Sequence, residues 1–315
     1  MIAYNKMELG KAARERGFVR DTYEKVLRLT EVLRYMNEEA YMTEHLVLKG
    51  GTAINLSIVD LPRLSVDIDM DMIPNVTRDQ MQGIRKEISD RLVAYMTGEG
   101  YSLSPASRFS YSLDAFLFNY QNSGGNPDHI KIELNYSLRS HLFEPEKRPL
   151  KELSLASSFS VRSLQPMEIY AAKANALMSR AAARDLFDFS YMVRNRLFDA
   201  QEDLFRKSII FYATISADKV NKTFDTAAID KLSFSKIRRD LFPVLGTKGA
   251  FDLEEHKRIC KEYIRALMVP TEQENEYMLR FEKKDYKPEL LFEDTAVLER
   301  IRKHPMALWK CSIDA

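Results

Sequence analysis

Residues 65–72 have the sequence SVDIDMDM, in which every second side chain is apolar. Successive side chains of a β-strand point to opposite faces of its sheet, so this period of two predicts a half-buried strand. Asp67, Asp69 and Asp71 then share one face, and the apolar side chains between them pack into a core. Carboxylates about 7 Å apart on one face repel each other and need a compensating charge. Their oxygens suit the hard cation Mg²⁺, and a solvated acidic edge strand is the alternative.

A glycine pair precedes this acidic strand. The apolar residues 46–48 (LVL) predict a short strand that leads directly into Lys49, Gly50, Gly51 and Thr52, and residues 53–58 favour a short helix. Glycine allows the backbone to approach a ligand closely, and the start of a helix presents N–H groups to an anion. Thr52 can cap that helix or touch a phosphate. These features predict a phosphate site beside a carboxylate pair, which is the arrangement that phosphoryl transfer needs.

A third carboxylate is available on another predicted strand. In residues 131–135 (KIELN), Lys131, Glu133 and Asn135 share one face, opposite the apolar side chains. Glu133 could complete a metal site or act as the base for an attacking hydroxyl. A plain surface pattern of Lys131 and Glu133 is the alternative.

The rest of the chain separates into two halves. The N-terminal half alternates helices and strands, and the C-terminal half from about Pro166 onward is mostly helical. We expect the two to meet near the small, polar residues 155–160. Helices are predicted at Thr22–Ala40, at Thr77–Thr97 with Thr77 as N-cap, at Met167–Arg196, and near Asp199–Ile215, Phe251–Met268 and Thr271–Phe281; further strands are predicted at Phe109–Tyr120 and Asp128–Ser137.

Cations recur along the first predicted helix of the second half. Lys173 and Arg180 are seven residues apart and would lie on one helix face, and Arg184 follows four residues later. Such a cationic face could contact a triphosphate, with Asp185 orienting one of the cations or contacting the nucleotide. The alternative is a solvent-facing ion pair between Arg184 and Asp188.

The overall charge does not indicate a nucleic-acid binder. Lys and Arg total 47 and Asp and Glu total 46, giving a net charge of +1, so only a local concentration of charge could bind RNA. Residues 231–239 hold such a concentration, since four cations surround Phe234 and Lys219 and Lys222 lie just upstream. Cations with an interleaved aromatic ring could hold an RNA backbone and a stacked base, whereas a solvated helix face is the alternative. The four cations are Lys231, Lys236, Arg238 and Arg239.

Other compositional features argue against several classes of protein. The chain has 2 cysteines, far apart, which does not suit a disulfide framework. Its 5 histidines show no catalytic spacing, and we expect them to be structural or exposed. The N-terminus lacks a signal-peptide core, and no apolar stretch has the length of a membrane span. We therefore expect a cytoplasmic protein without a membrane partner.

Two blocks of the sequence resemble a known family. Residues 49–56 (KGGTAINL) followed by residues 63–69 (RLSVDID) are similar to the motif of the AbiEii/AbiGii toxins, nucleotidyltransferases of the DNA polymerase β superfamily. A second block from Lys173 to Asp188 also resembles that family. The tail from Pro288 to Trp309 shows a less specific likeness. In total the resemblance spans roughly Glu44 to Lys310.

The resemblance implies a fold and a set of ligands. The fold is α+β, with a polymerase β-like nucleotidyltransferase domain containing a mixed sheet at residues 1–160 and a helical domain at residues 161–315. The implied ligands are a nucleoside triphosphate and Mg²⁺, with two ions expected. Several members are toxins of type IV toxin–antitoxin pairs, and the related MenT toxins modify the acceptor end of tRNA. A cognate antitoxin and an RNA acceptor are therefore expected partners.

The resemblance also assigns roles to individual residues. Gly51 and Thr52 would seat the triphosphate, and Asp67 and Asp69 would hold the metal ions. Lys173 would bind phosphate, and Asp185 would be a later acidic residue of the active site. Glu133 is the expected third metal ligand. The further residues expected to bind nucleotide or phosphate are Lys49, Gly50, Arg63, Ser65, Arg180 and Arg184.

Two other functions fit the same residues. The nucleotide could be transferred to a protein side chain instead of RNA. Alternatively, the chain could be an inactive nucleotide-binding partner of another protein, although the intact Asp67 and Asp69 beside the glycine pair argue against inactivity. The base preference and the oligomeric state do not follow from the sequence.

Overall fold

The structure is a computed structural model that describes residues 2–216, 223–246 and 251–312. The chain divides into two compact units. The described part of unit 1 comprises residues 2–139, 145–164 and 242–246. The described part of unit 2 comprises residues 140–144, 165–216, 223–241 and 251–312.

Unit 1 is built on one mixed sheet. Its strands are β1 Leu46–Lys49, β2 Asp67–Met72, β3 Ser102–Leu103, β4 Arg108–Phe109, β5 Leu113–Gln121, β6 Pro127–Asn135, β7 Glu146–Pro149 and β8 Ser160–Ser163. The order across the sheet is β3-β5-β6-β2-β1-β8-β7, and β4 also pairs with β5. β2 runs parallel to β6 and β1 runs parallel to β8, whereas the other pairs are antiparallel. The prediction of an α+β fold with a mixed sheet is confirmed.

The helices predicted at Thr22–Ala40 and Thr77–Thr97 form in unit 1, whereas the helices at residues 6–16 and 40–45 were not predicted. The helices of unit 1 are α1 Lys6–Arg16, α2 Arg20–Glu38, α3 Ala40–His45, α4 Gly50–Ala53 and α5 Arg78–Gly98. A π-helical turn, Ile54–Ile58, continues α4. Thr77 caps α5 through a capping box with Gln80, so the predicted start of that helix is confirmed.

The two faces of the sheet differ in polarity. Ile68, Ile132 and Phe116 lie on one face and are almost fully buried. The opposite face carries Asp69 and Glu133, which are partly exposed. The alternation in residues 65–72 therefore indicated the correct faces, although the strand itself begins at Asp67.

A buried acidic residue of α2 fixes the turn that joins β5 to β6. The Glu24 carboxylate accepts hydrogen bonds from the Ser123 backbone N–H at 2.9 Å and from its hydroxyl at 2.6 Å. Arg28, one helical turn away, donates to the same carboxylate at 2.7 Å. Because β6 carries Glu133, this contact helps to set the position of a candidate site residue.

Unit 2 is helical in its described part. Its α-helices are α6 Pro166–Ser179, α7 Ala183–Arg194, α8 Glu202–Ser216, α9 Ala227–Asp230, α10 Phe234–Asp240, α11 Leu253–Leu267, α12 Glu272–Glu282, α13 Thr295–Ile301 and α14 Pro305–Ser312. The helices predicted near residues 199–215, 251–268 and 271–281 are confirmed as α8, α11 and α12. The short helices α9, α10, α13 and α14 were not predicted.

The prediction of one helix over Met167–Arg196 is wrong. α6 ends at Ser179, and Ala181 has a φ of 46°, outside the helical region. Every residue in this break tolerates a helix, so local propensity gives no warning of it. Two aspartates of α7 pair with a lysine of α6 across this break, as described below.

No helix in residues 2–216, 223–246 and 251–312 combines the length and the apolar character that a membrane span requires.

Candidate active site

The glycine turn and the acidic strand are in direct contact. Gly50 has a φ of +70°, a conformation that favours glycine. A Cβ at this position would overlap Asp69 Oδ2 and lie 3.0 Å from its Cβ and Cγ. The backbone of Lys49 lies opposite Asp69 in the antiparallel register of β1 and β2. Gly50 therefore allows the turn to lie against the Asp69 carboxylate.

The second glycine makes room for a different pair of side chains. A Cβ on Gly51 would lie 2.9 Å from Arg63 Nη2 and 3.0 Å from Ser65 Oγ. Arg63 is 1% exposed and donates from Nη1 to the Leu64 carbonyl at 2.7 Å. Arg63 and Ser65 thus lie directly beneath the turn, where they support its backbone.

Thr52 connects the start of the helix to the acidic strand. Its hydroxyl is fully buried, donates to the Asp67 backbone carbonyl and lies 3.0 Å from Ser65 Oγ. The side chain of Thr52 therefore positions Asp67. Thr52 lies within α4 and makes no capping hydrogen bond at the start of that helix.

Two neighbouring carboxylates, Asp67 and Glu133, affect the pKa of Asp69 on β2. Glu133 lies opposite Asp69 in the parallel register of β2 and β6. Burial, together with the negative charges of Asp67 and Glu133, raises the pKa of Asp69 to about 7, while Lys49 opposes the shift. Glu133 also lies 2.8 Å from Lys131. Glu133 therefore forms the surface pair given above as the alternative and at the same time lies beside Asp69.

The third aspartate of the strand has a different environment. Asp71 is 1% exposed and pairs with Lys49 at 2.5 Å. Burial raises the pKa of Asp71, and the Lys49 ammonium group opposes that effect. Lys49 therefore neutralises Asp71 within the sheet, a role that its position in the glycine motif did not suggest.

The residues around Asp69 fit a magnesium ion that shares its coordination with phosphate. No group of three His, Cys, Asp or Glu side chains in the described ranges forms a preassembled metal site. Mg²⁺ usually takes only one or two carboxylates and completes its shell with substrate oxygens and water. Asp67 and Asp69 supply such a pair, and burial together with the neighbouring carboxylates raises the pKa of Asp69, so a bound cation would favour its ionised form.

A second acidic cluster lies in unit 2. Lys173 is 9% exposed, and its ammonium group lies 2.9 Å from Asp185 and 2.9 Å from Asp188. These contacts join α6 to α7 across the break between them. Asp188 is 1% exposed and contacts Lys173, so it does not face solvent as the alternative interpretation expected.

The predicted cationic helix face does not form. Arg180 terminates α6, and Arg184 belongs to α7, so the spacing of seven and four residues does not place them on one helix. Arg180 has a side chain that is 74% exposed and lies 3.8 Å from Asp185. The structure brings Lys173 and Asp185 together. The prediction that Lys173, Arg180 and Arg184 share one helix face is wrong.

The basic segment of residues 231–239 lies on the surface of unit 2. Phe234 is 54% exposed, and Lys231, Lys236, Arg238 and Arg239 are all exposed. Arg239 pairs with the neighbouring Asp240 at 2.6 Å. Lys219 and Lys222 lie outside the described residues.

The histidine and cysteine of α11 are enclosed. His256 Nδ1 lies 2.5 Å from Ser190 Oγ, and burial lowers the pKa of His256 to about 4. Cys260 is fully buried, and burial raises the pKa of its thiol. Both groups are therefore shielded from reactants by the packing of α7 and α11.

The sequence and the architecture together identify the family. A family model described as "Nucleotidyl transferase AbiEii toxin, Type IV TA system" matches residues 32–267, which include both acidic clusters. The chain belongs to this family of nucleotidyltransferases, and the resemblance inferred from the glycine and aspartate motifs is confirmed.

One solved structure extends the comparison of the fold. The chain is similar to MenT4, a nucleotidyltransferase toxin from Mycobacterium tuberculosis H37Rv, with a TM-score of 0.66 and 12% sequence identity. The match covers 97% of this chain and 99% of MenT4. At this identity the likeness supports the fold. The comparison with curated proteins gave no match.

Proposed function

We propose that this chain transfers a nucleoside monophosphate from a nucleoside triphosphate to an acceptor hydroxyl of RNA. The observation that carries the proposal is the contact between the Gly50 backbone and the Asp69 carboxylate. This contact supports the proposal, because a glycine turn that approaches a carboxylate so closely leaves room for a phosphate beside a metal-binding carboxylate pair, as phosphoryl transfer requires.

In this proposal each residue of unit 1 has a distinct task. The backbone of Gly50 and Gly51 approaches the triphosphate, while Thr52 fixes Asp67. Asp67 and Asp69 would hold magnesium, with two ions expected. When bound, magnesium supplies charge neutralisation on the phosphates and acidifies the attacking hydroxyl.

The proton of the acceptor hydroxyl needs a destination. Glu133 lies beside Asp69 and can take that proton as a general base, or it can serve as a third metal ligand. The attack forms a new oxygen–phosphorus bond at the α-phosphorus, and the bond to pyrophosphate breaks. No covalent enzyme intermediate is needed, because positioning and charge neutralisation lower the barrier.

The family resemblance extends the proposal to unit 2. Lys173 would contact phosphate, with Asp185 holding its ammonium group in position. Arg180 is exposed enough to bind phosphate as a forked donor, and Arg184 is assigned the same role. The exposed cations of residues 231–239 would hold the RNA backbone, with Phe234 available to stack on a base.

The biological setting follows from the family. Type IV toxin membership implies a cognate antitoxin, and the acceptor end of tRNA is the proposed RNA target. Such a target would place the protein in the cytoplasm.

The test is a transfer assay with α-labelled triphosphates, run separately for all four bases with total RNA and with protein extract. We expect magnesium-dependent labelling of RNA by the wild-type chain and none by Asp67→Ala or Asp69→Ala. Both variants must retain a cooperative melting transition for their inactivity to count. Label on protein would establish the first rival function, and no label with any base would favour the inactive binding partner.

A further inference from the structure

A segment from the C-terminal half of the chain returns to unit 1. Residues 242–246, here called the return segment, belong to unit 1, although α10 before them and α11 after them belong to unit 2. The return segment follows α10 after one residue, Leu241, and begins with a 3-10 turn at Phe242–Val244. A stretch that is far from the glycine turn in sequence therefore lies in the unit that carries this turn.

The return segment pairs with the residues that precede the acidic strand. Leu245 lies opposite Arg63 in an antiparallel bridge, and the Leu64 backbone N–H donates to the Val244 carbonyl at 2.8 Å. Leu64 is fully buried, and Val244 is 4% exposed. Residues 59–66 belong to no helix or strand, so regular local structure does not fix the position of Arg63. The return segment supplies a backbone partner at this point.

The end of the return segment contacts the turn between α1 and α2. A Cβ on Gly246 would lie 3.6 Å from the ring of Phe18 and 3.8 Å from the Gly17 carbonyl oxygen. Gly17 ends α1, and Phe18 is 8% exposed. The return segment therefore contacts both this turn and residues 63–64, and these two contacts fix its position within unit 1.

Arg63 connects the return segment to the glycine turn. Its guanidinium group lies directly beneath Gly51, since a Cβ on Gly51 would be 2.9 Å from Arg63 Nη2. Arg63 is 1% exposed, and a buried charged donor that loses its hydrogen bonds costs free energy. The guanidinium group therefore stays where the backbone of residue 63 allows its hydrogen bonds. The Gly51 backbone above it depends on where the return segment holds Arg63.

We propose that Val244 and Leu245 are positioning residues for the triphosphate, because they hold Arg63 beneath Gly51 and thereby set the backbone that seats the phosphates. This proposal rests on the proposed function, since it concerns the same glycine turn. Binding geometry tolerates little error, and a displacement of about 1 Å at a site can reduce a rate about 100-fold. A small loosening of the return segment should therefore weaken triphosphate binding beyond what its effect on the fold explains.

The test compares two valine substitutions by calorimetric titration with magnesium–triphosphate. Val244→Ala removes two methyl groups that anchor the return segment. Val32→Ala is the matched control, because Val32 is 1% exposed and lies on α2, outside the glycine turn and β2. We expect comparable falls in melting temperature in both variants. Triphosphate affinity should fall about fivefold or more in Val244→Ala and stay within about twofold in Val32→Ala.

A double-mutant cycle tests whether the effect passes through Arg63. Arg63→Met removes the guanidinium group, and Arg63→Lys is the second background if melting curves show that Arg63→Met does not fold. Because the return segment acts through Arg63, adding Val244→Ala to either background should change triphosphate affinity by no more than about twofold. Fully additive losses of affinity would show that Val244 acts independently of Arg63 and would overturn the proposal.

The outcomes separate this proposal from the proposed function. If the wild-type chain binds triphosphate and the two valine variants bind it equally well, the positioning role is overturned while the proposed reaction stands. A selective loss of affinity in Val244→Ala supports the positioning role, even if no label reaches RNA. A wild-type chain that binds no triphosphate overturns the triphosphate site itself, and the positioning role with it.

Discussion

Gly50 is the residue at which the geometry of the site is most sensitive to a single change. Gly50→Ala places a side chain in a left-handed conformation and against the Asp69 carboxylate. We expect the free energy of unfolding to fall by more than about 1 kcal/mol and nucleotide transfer to be lost. Chemical denaturation and the labelled-triphosphate assay measure the two effects.

Gly83→Ala is the control for this substitution. Gly83 is exposed within α5, and a Cβ there would meet no atom within 4 Å. Alanine should stabilise the helix by about 0.5–1 kcal/mol and leave transfer unchanged. Full activity in Gly50→Ala would show that the close approach to Asp69 is not needed.

Much of the unit 1 site follows from local sequence, because a turn and a strand each have a local pattern. The period of two in residues 65–72 placed Asp67 and Asp69 on one face, and the glycine pair indicated a close backbone approach. The pairing of Lys49 with Asp71 did not follow, since it depends on the register between β1 and β2. Register is a property of two segments, and neither segment specifies it alone.

At the scale of elements, long periodic helices were predictable and short or folded-back ones were not. The break between α6 and α7 contains no glycine or proline, and the ion pairs that Lys173 makes across it join residues 12 and 15 positions apart in the sequence. Strands β7 and β8 have four residues each, and their polar composition resembles that of a loop. Tertiary contacts decide such segments, so sequence periodicity gives little information about them.

The Lys173 cluster makes a prediction about how α6 and α7 stay together. Lys173→Met removes the ammonium group that lies 2.9 Å from both buried aspartates, Asp185 and Asp188, which should cost about 3–5 kcal/mol of stability. The proposed phosphate contact predicts that the affinity for the triphosphate falls as well. Thermal unfolding and nucleotide titration distinguish the two losses.

Lys257→Met is the matched control, because Lys257 is 8% exposed but pairs with a Glu254 side chain that is 79% exposed. An orphaned Glu254 stays hydrated, so the loss of stability should be smaller and nucleotide affinity should not change. Stability and affinity that are both unaffected in Lys173→Met would contradict the assignment of Lys173.

At the scale of the whole molecule, charge is organised locally rather than in bulk. Although the net charge is only +1, unit 1 contains an acidic cluster and unit 2 carries a cationic surface. Burial and the negative charges of Asp67 and Glu133 raise the pKa of Asp69 to about 7 and so disfavour its ionised form. The Mg²⁺ ion of a bound metal–triphosphate complex would supply positive charge beside Asp69, and binding should therefore depend on pH.

Metal binding requires an ionised carboxylate. Because the pKa of Asp69 is raised to about 7, raising the pH from 6 to 8 ionises more of its carboxyl, so affinity for magnesium–triphosphate should rise over this interval. Asp69→Asn lacks this titrating group and should show a smaller pH dependence, because the terminal phosphate of the triphosphate also titrates in this range. Asp90→Asn, at an exposed residue of α5 paired with Lys86, is the control and should behave like the wild type.

Calorimetric titration of the wild-type chain and Asp69→Asn with magnesium–triphosphate at pH 6 and pH 8 measures this directly. We expect the wild type to bind more tightly at pH 8, to lose most affinity when EDTA removes the metal, and to exceed the variant at least about tenfold. Equal affinities for the wild type and Asp69→Asn, or binding that does not depend on magnesium, would contradict a metal–triphosphate site at the glycine turn.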